Sequence, residues 1–182
     1  MSSNPNRAKV AEFHRAFKVQ TEPESFSIPA LPPADEEDRL DFGDIARELR
    51  RSAHHAHTSA ELVKSGQEGP EGEKRHVAFL RLQHMIEELA EVAEALGMHD
   101  LTEVAHEMAD LDYVVQGTVL AFGLDGTHEP CVAEIHRANM SKLGHNGEPI
   151  LNEAGRVVKG PDFRKACVRD ILMAHLKSED AA

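Results

Sequence analysis

Apolar positions recur at three- and four-residue intervals along most of the chain, and glycines and prolines divide that pattern into six helical stretches. Val10, Phe13 and Phe17 predict a short helix over residues 7–19. Pro23, Pro29, Pro32 and Pro33 then predict an extended connector. Ile45, Leu49, Ala53, Ala60 and Leu62 predict a helix over about 41–65, closed by the turn-rich GQEGPEG. Leu82, Met85, Ile86, Leu89, Val92, Ala93 and Leu96 form the clearest stripe, on a helix from Glu73 to Leu96 that Gly97 should stop. Asp100 or Thr102 is placed to cap the next helix, which runs to Phe122 before Gly123. A fifth helix is expected over Glu129–Lys142, with Pro130 near its first turn, and a sixth over FRKACVRDILMAHL.

Between the fifth and sixth stretches the period changes. Asn146-Gly147, the run Pro-Ile-Leu-Asn, a Glu-Ala-Gly turn and Arg-Val-Val-Lys together suggest a small β-hairpin or an extended arm. The expected fold class is therefore all-α, a helical bundle with a hairpin or arm near its C-terminal end. At 182 residues the chain is read as a single domain. Aromatics make up 4% and Trp is missing, so the core must come from Leu, Val, Ile, Ala and Met, a palette that suits helices packed on helices.

A formal charge of −12 argues against DNA or an anionic membrane as partner, and means that an anionic substrate needs a cation to mediate it. Cys131 and Cys167 show no CxxC spacing, and the first residues carry no apolar run suited to a signal peptide, so reduced thiols and a cytoplasmic location are expected.

The acids sharpen this picture. At about 100° per residue, Glu87, Glu91 and Glu94 lie opposite the leucine stripe of their helix, with Glu88 at its edge. That helix alone is compatible with a solvated acidic face. The next one is not, because Glu107 falls within the stripe of Val104, Leu111, Val114, Val115, Thr118 and Phe122, flanked by Glu103 and Asp110. A carboxylate in an apolar stripe costs several kcal/mol unless it is paired or holds a cation. Between Leu82 and Arg137 there are twelve acids and no Lys or Arg, so a hard divalent cation is the better partner.

Glu87-Glu88-x-x-Glu91 followed by Glu107-x-x-Asp110 resembles the EExxE and ExxD signature of the MazG-like all-α nucleoside triphosphate pyrophosphohydrolases. DLDYVVQGTVLAFGLD, the NMSK element with Asn139 and Lys142, and the KGP element with Lys159 are similar to the phosphoribosyl-ATP pyrophosphohydrolase-like branch, as is the early VAEFHRAF. The resemblance spans roughly residues 8–29 and 78–163, and makes about 34–76 look like a helical insertion. It implies hydrolysis of a nucleoside triphosphate, expected to be a deoxynucleotide, to monophosphate and pyrophosphate. It further implies Mg²⁺, or Mn²⁺, held by Glu87, Glu88, Glu91, Glu107 and Asp110, with one carboxylate taking a proton from water, for which Glu88 is favoured. Asn139, Lys142 and Lys159 are the implied substrate contacts, and Tyr113, one turn beyond Asp110, is a further candidate for contact with substrate or for packing at an interface. Pairing of subunits, as a homodimer or a dimer of dimers, would enclose the acidic side.

Two other readings compete. Glu73-x-x-His76 and Glu103-x-x-His106 have the spacing of ferritin-like di-iron bundles, although His106 is turned about 100° from Glu107. A non-catalytic nucleotide-binding helical module is the other. His54-His55-x-His57 reads as a polar patch rather than a metal site, since adjacent histidines diverge on a helix. Arg47, Arg50 and Arg51 form a basic patch that could close over phosphates, pack against a neighbouring subunit or simply face solvent; the interface is favoured because of the patch's distance along the chain from the acids.

Overall fold

The computed structural model describes residues 5–18, 35–66 and 69–179. Among them are six helices: α1 (Pro5–Ala16), α2 (Glu36–Gly66), α3 (Pro70–Met98), α4 (Leu101–Ala121), α5 (Asp125–Met140) and α6 (Val168–Glu179). The all-α expectation holds, and no helix of the described residues is long and apolar enough to cross a membrane. The chain divides into two compact units, Ser27–Phe122 and the combination of Met1–Phe26 with Gly123–Ala182. Most of the proline-rich connector lies outside the described residues.

In the first unit α3 lies between α2 and α4, and α2 and α4 do not touch each other. Arg50 meets Glu94, His57 meets Gln83, and the His76 ring donates to the Ala60 carbonyl at 2.9 Å. Residue numbers fall on α3 as they rise on α2, so the two helices are antiparallel. Their contact is a seam of small residues. Ala46, Ala53, Ala56 and Ala60 of α2 are buried, and Ala90 and Ala93 of α3 pack with Ala46 and the partly covered Leu49. The α2 positions follow alternating steps of three and four, the spacing of a coiled-coil seam.

This seam differs from the leucine stripe expected from sequence. Leu82, Leu89 and Leu96 are 44%, 43% and 39% exposed, and Ile45 and Leu62 of α2 are exposed too. The helical arithmetic was sound in placing the leucines opposite the acids. Only part of that stripe is covered: Val92 and Ala93 are buried and Met85 and Ile86 half-buried, while the leucines stay exposed, because α2 approaches α3 through alanine and α4 packs on it from elsewhere.

Asp100 caps α4, accepting from the amides of Thr102 and Glu103 at 2.9 and 3.3 Å. That satisfies two of the helix's unpaired first-turn donors. Gly97 does not stop α3; it is buried within it, and His99 ends the helix in a left-handed conformation at φ 51°.

In the second unit α5 packs against α1 and α6. Phe13 and Phe17 stack at 4.3 Å, and His136 meets Glu12 at 3.2 Å. The α5 helix begins at Asp125, a turn earlier than expected, so that Pro130 sits inside it. Gly126, four residues before that proline, is also where α6 approaches: a Cβ there would lie 2.8 Å from the His175 ring. The last helix starts at Val168 rather than Phe163.

The C-terminal β-hairpin does not form. Residues 143–160 carry two isolated antiparallel bridges, Leu143 with Pro149 and Leu151 with Val157, linked by turns at Gly147 and Gly155. The turn chemistry is present, but the extended runs are too short for a ladder and Pro149 has no N–H to donate to one.

Candidate metal and substrate site

The acidic side chains converge where α3 and α4 run side by side. Glu88, Glu107 and Asp110 each bring a carboxylate oxygen within 4.8 Å of the others. Such an arrangement is unfavourable without a cation, and its electrostatics show this. The Glu88 carboxyl is held above the ordinary range by burial and then by the charges of Asp110, Glu107 and Glu87. Glu91 is raised by burial and then by Glu88 and Glu107. Oε2 of Glu107 is buried with no hydrogen-bond partner, which fits a carboxylate whose natural partner is a bound cation.

Glu87 and Glu91 are not part of this tight trio. They line, with Glu88, a cavity of about 450 Å³ between α2 and α3, where Gln83 donates to Glu87 at 2.9 Å. Thus Glu88, Glu107 and Asp110 point oxygens at one another, Glu91 reaches Glu107 beside them, and Glu87 extends the site toward α2.

Two features of the site run against the preferred sequence reading. His106, expected to point away, brings a ring nitrogen into a second group with Glu103 and Glu107, and its Nε2 lies 3.2 Å from Asp110 Oδ2. The i to i+4 spacing of His106 and Asp110 was the available signal. Glu73 and His76 join neither group among the described residues, and His76 is bonded to Ala60, so the two Glu-x-x-His pairs of the di-iron reading do not come together. The other feature is Arg50, which lines the cavity beside Glu87, Glu88 and Glu91 and forms a two-pronged pair with Glu94, one arm at 2.8 Å. Arg50 pulls the Glu94 carboxyl below its ordinary range. Distance along the chain, on which the interface expectation for the arginines rested, is removed by the fold-back of α2 onto α3.

The remaining candidates are spread over both units. Tyr113 on α4 is 80% exposed. In the other unit, Lys142 donates to Asn139 Oδ1 at 2.8 Å, and Lys159 Nζ stands 4.7 Å above the Phe163 ring. Gly160 ties their two segments together: its amide donates to the Lys142 carbonyl at 3.0 Å.

A three-helix layer bearing acids on adjoining helices defines the class of this fold, and comparison with known proteins agrees with it. The family model described as phosphoribosyl-ATP pyrophosphohydrolase matches residues 57–139. The resemblance expected from the acidic motifs is borne out over that stretch, which takes in all five acids and Asn139, stops short of Lys142 and Lys159, and begins inside the segment that looked like an insertion. A crystal structure at 1.78 Å of a provisionally assigned NTP pyrophosphohydrolase from Exiguobacterium sp. 255-15 is similar with a TM-score of 0.51 and 21% identity, covering 98% of this chain and 99% of its own. That likeness shows the shared all-α fold. No curated protein matches the chain.

Proposed function

We propose that the protein is a nucleotide pyrophosphohydrolase, cleaving a nucleoside triphosphate, with a deoxynucleotide expected, into the monophosphate and pyrophosphate with Mg²⁺ or Mn²⁺ as cofactor. The observation that carries this reading is the convergence of Glu88, Glu107 and Asp110, together with the buried, unpartnered Oε2 of Glu107. Carboxylate oxygens at this density suit hard divalent cations, and the donor set fits Mg²⁺ or Mn²⁺. When bound, such an ion supplies charge neutralisation for the phosphates and acidifies a coordinated water.

Glu107 and Asp110 hold the cation from α4, with Glu88, Glu87 and Glu91 available from α3. Glu88 is the proton acceptor in this reading, from its place at the edge of its helix's acidic face, where it can take a proton from the water that attacks the α-phosphorus. The new P–O bond forms as the α–β bridge breaks, and pyrophosphate leaves. Asn139, Lys142 and Lys159 are assigned to the substrate as the family resemblance implies, and Tyr113, one turn beyond Asp110, is assigned with them. Subunit pairing belongs to the same reading, since Leu82, Leu89 and Leu96 repeat at seven-residue spacing on an open face of α3. A panel of ribo- and deoxynucleoside triphosphates incubated with each metal, with phosphate and pyrophosphate both quantified, is the test. Release of pyrophosphate from one or more of them is expected; a metal-replete protein that turns over none, or one that carries iron and oxidase activity, overturns the reading.

A further inference from the structure

Arg47, Arg50, Arg51, His54, His55 and Thr58 recur at helical intervals of three and four along α2 and line a recess of about 530 Å³. The neighbouring cavity of about 450 Å³ is lined by Arg50, His54 and His57 on one side and by Glu87, Glu88 and Glu91 on the other. Arg50 and His54 belong to both. The two recesses therefore adjoin along α2, acidic at the α3 end and basic at the other.

We propose that this basic stripe is the polyphosphate-binding wall of the site, with Arg50 and His54 receiving the phosphates farthest from the metal-binding carboxylates. The identity of the ligand as a nucleotide rests on the proposed function; the affinity for a polyphosphate rests on the wall itself. A triphosphate carries about four negative charges at neutral pH. Cations held by the carboxylates neutralise the end they touch, and the far end then needs cationic donors of its own. The arginine fork matches phosphate oxygens two at a time.

Arg47 and Arg51 pair, among the described residues, with exposed neighbours one turn away, Asp44 and Glu48, in contacts that contribute little. Arg50 is different, because its partner Glu94 is on the other helix. Glu94 holds the guanidinium at the cavity edge until a phosphate displaces it. It orients Arg50 and competes for it.

That double role separates a ligand-binding arginine from a structural tie. Arg50→Gln and Glu94→Gln both remove the link between α2 and α3, so a purely structural role moves both variants the same way. The wall requires opposite effects. Calorimetric titration of the full chain with inorganic tripolyphosphate, in the presence of Mg²⁺, is expected to show Arg50→Gln weakened about tenfold or more and Glu94→Gln tightened. Arg50→Lys, which keeps the charge and loses the fork, should fall between wild type and Arg50→Gln while melting normally. No binding by wild type, unchanged binding in Arg50→Gln, or equal weakening in both variants overturns the proposal. Nucleotide turnover distinguishes it from the proposed function: hydrolysis that survives with unaltered KM in Arg50→Gln sinks the wall alone. Tripolyphosphate binding that depends on Arg50 in a protein that hydrolyses no nucleotide sinks the activity and leaves the wall standing.

Discussion

The amide of Gly160 donates to the carbonyl of Lys142, and a Cβ on Gly160 would fall 2.3 Å from the oxygen of Leu143. The chain after the two β-bridges is thus laid directly against the end of α5, at a distance only glycine permits. Gly160→Ala must push these segments apart, because the obstacle is backbone. We expect a loss of about 1–3 kcal/mol in denaturant unfolding. If Lys142 and Lys159 serve the substrate, KM should rise more than kcat falls.

Glu107→Gln and Asp110→Asn should remove metal affinity without unfolding the protein. In the wild type, Mg²⁺ or Mn²⁺ at about a hundred times its dissociation constant adds roughly 2.7 kcal/mol. For a chain of this size that raises Tm by about 5 °C or more. Neither variant should show the rise, and turnover should fall by about a hundredfold or more. Equal metal-induced shifts in all three proteins would reduce the acids to a solvated surface.

The pH dependence of stability follows from the raised carboxyls of Glu88 and Glu91. The native state holds these protons more tightly than the unfolded chain does. Their contribution is present below the ordinary carboxyl pKa and is lost as pH rises through the higher native value. Without metal, Glu88→Gln should therefore melt above wild type at about pH 8 and coincide with it near about pH 4. A variant less stable at the higher pH would contradict the crowding of charge at this site.

Glu134 behaves in the opposite sense. Hydrogen bonds from Arg137 and from the Cys167 amide lower its pKa to about 2. Its contribution is present above the ordinary carboxyl pKa and lost as pH falls toward about 2. Because it anchors the chain just before α6, Glu134→Gln should speed amide exchange at Cys167 at neutral pH. Unchanged exchange would show that α6 is held without it.

Much of this was legible in the sequence, because the signals were local. Asp100 before an apolar run, Gly123 after one, and Glu107 inside a stripe each carry their meaning within a turn or two of helix. The alanine seam was legible only in part: Leu49, Ala53, Ala60 and Ala93 fell on the expected apolar positions, but Ala46, Ala56 and Ala90 weigh little beside Leu82 or Leu89 in any reading by hydrophobicity. Which face of α3 is covered depends on where α2 and α4 lie, and periodicity reports faces without partners. The placement of Arg50 beside the acids escaped for the same reason: 44 residues separate it from its partner Glu94. Pro130 was misleading as a start signal because α5 accommodates a proline within its second turn, four residues after Gly126.

The alanine seam also acts as a caliper. Helices meeting through alanine approach the lower end of the usual 8–10 Å range of axial separations. The cavity walls ride on that separation, with the arginines on one helix and the glutamates on the other. Leucine in place of Ala90 would spread the axes by something on the order of 1 Å, and misplacement of that size is enough to cost a reaction roughly a hundredfold. The small side chains of the seam thereby set the gap between the arginines of one helix and the glutamates of the other.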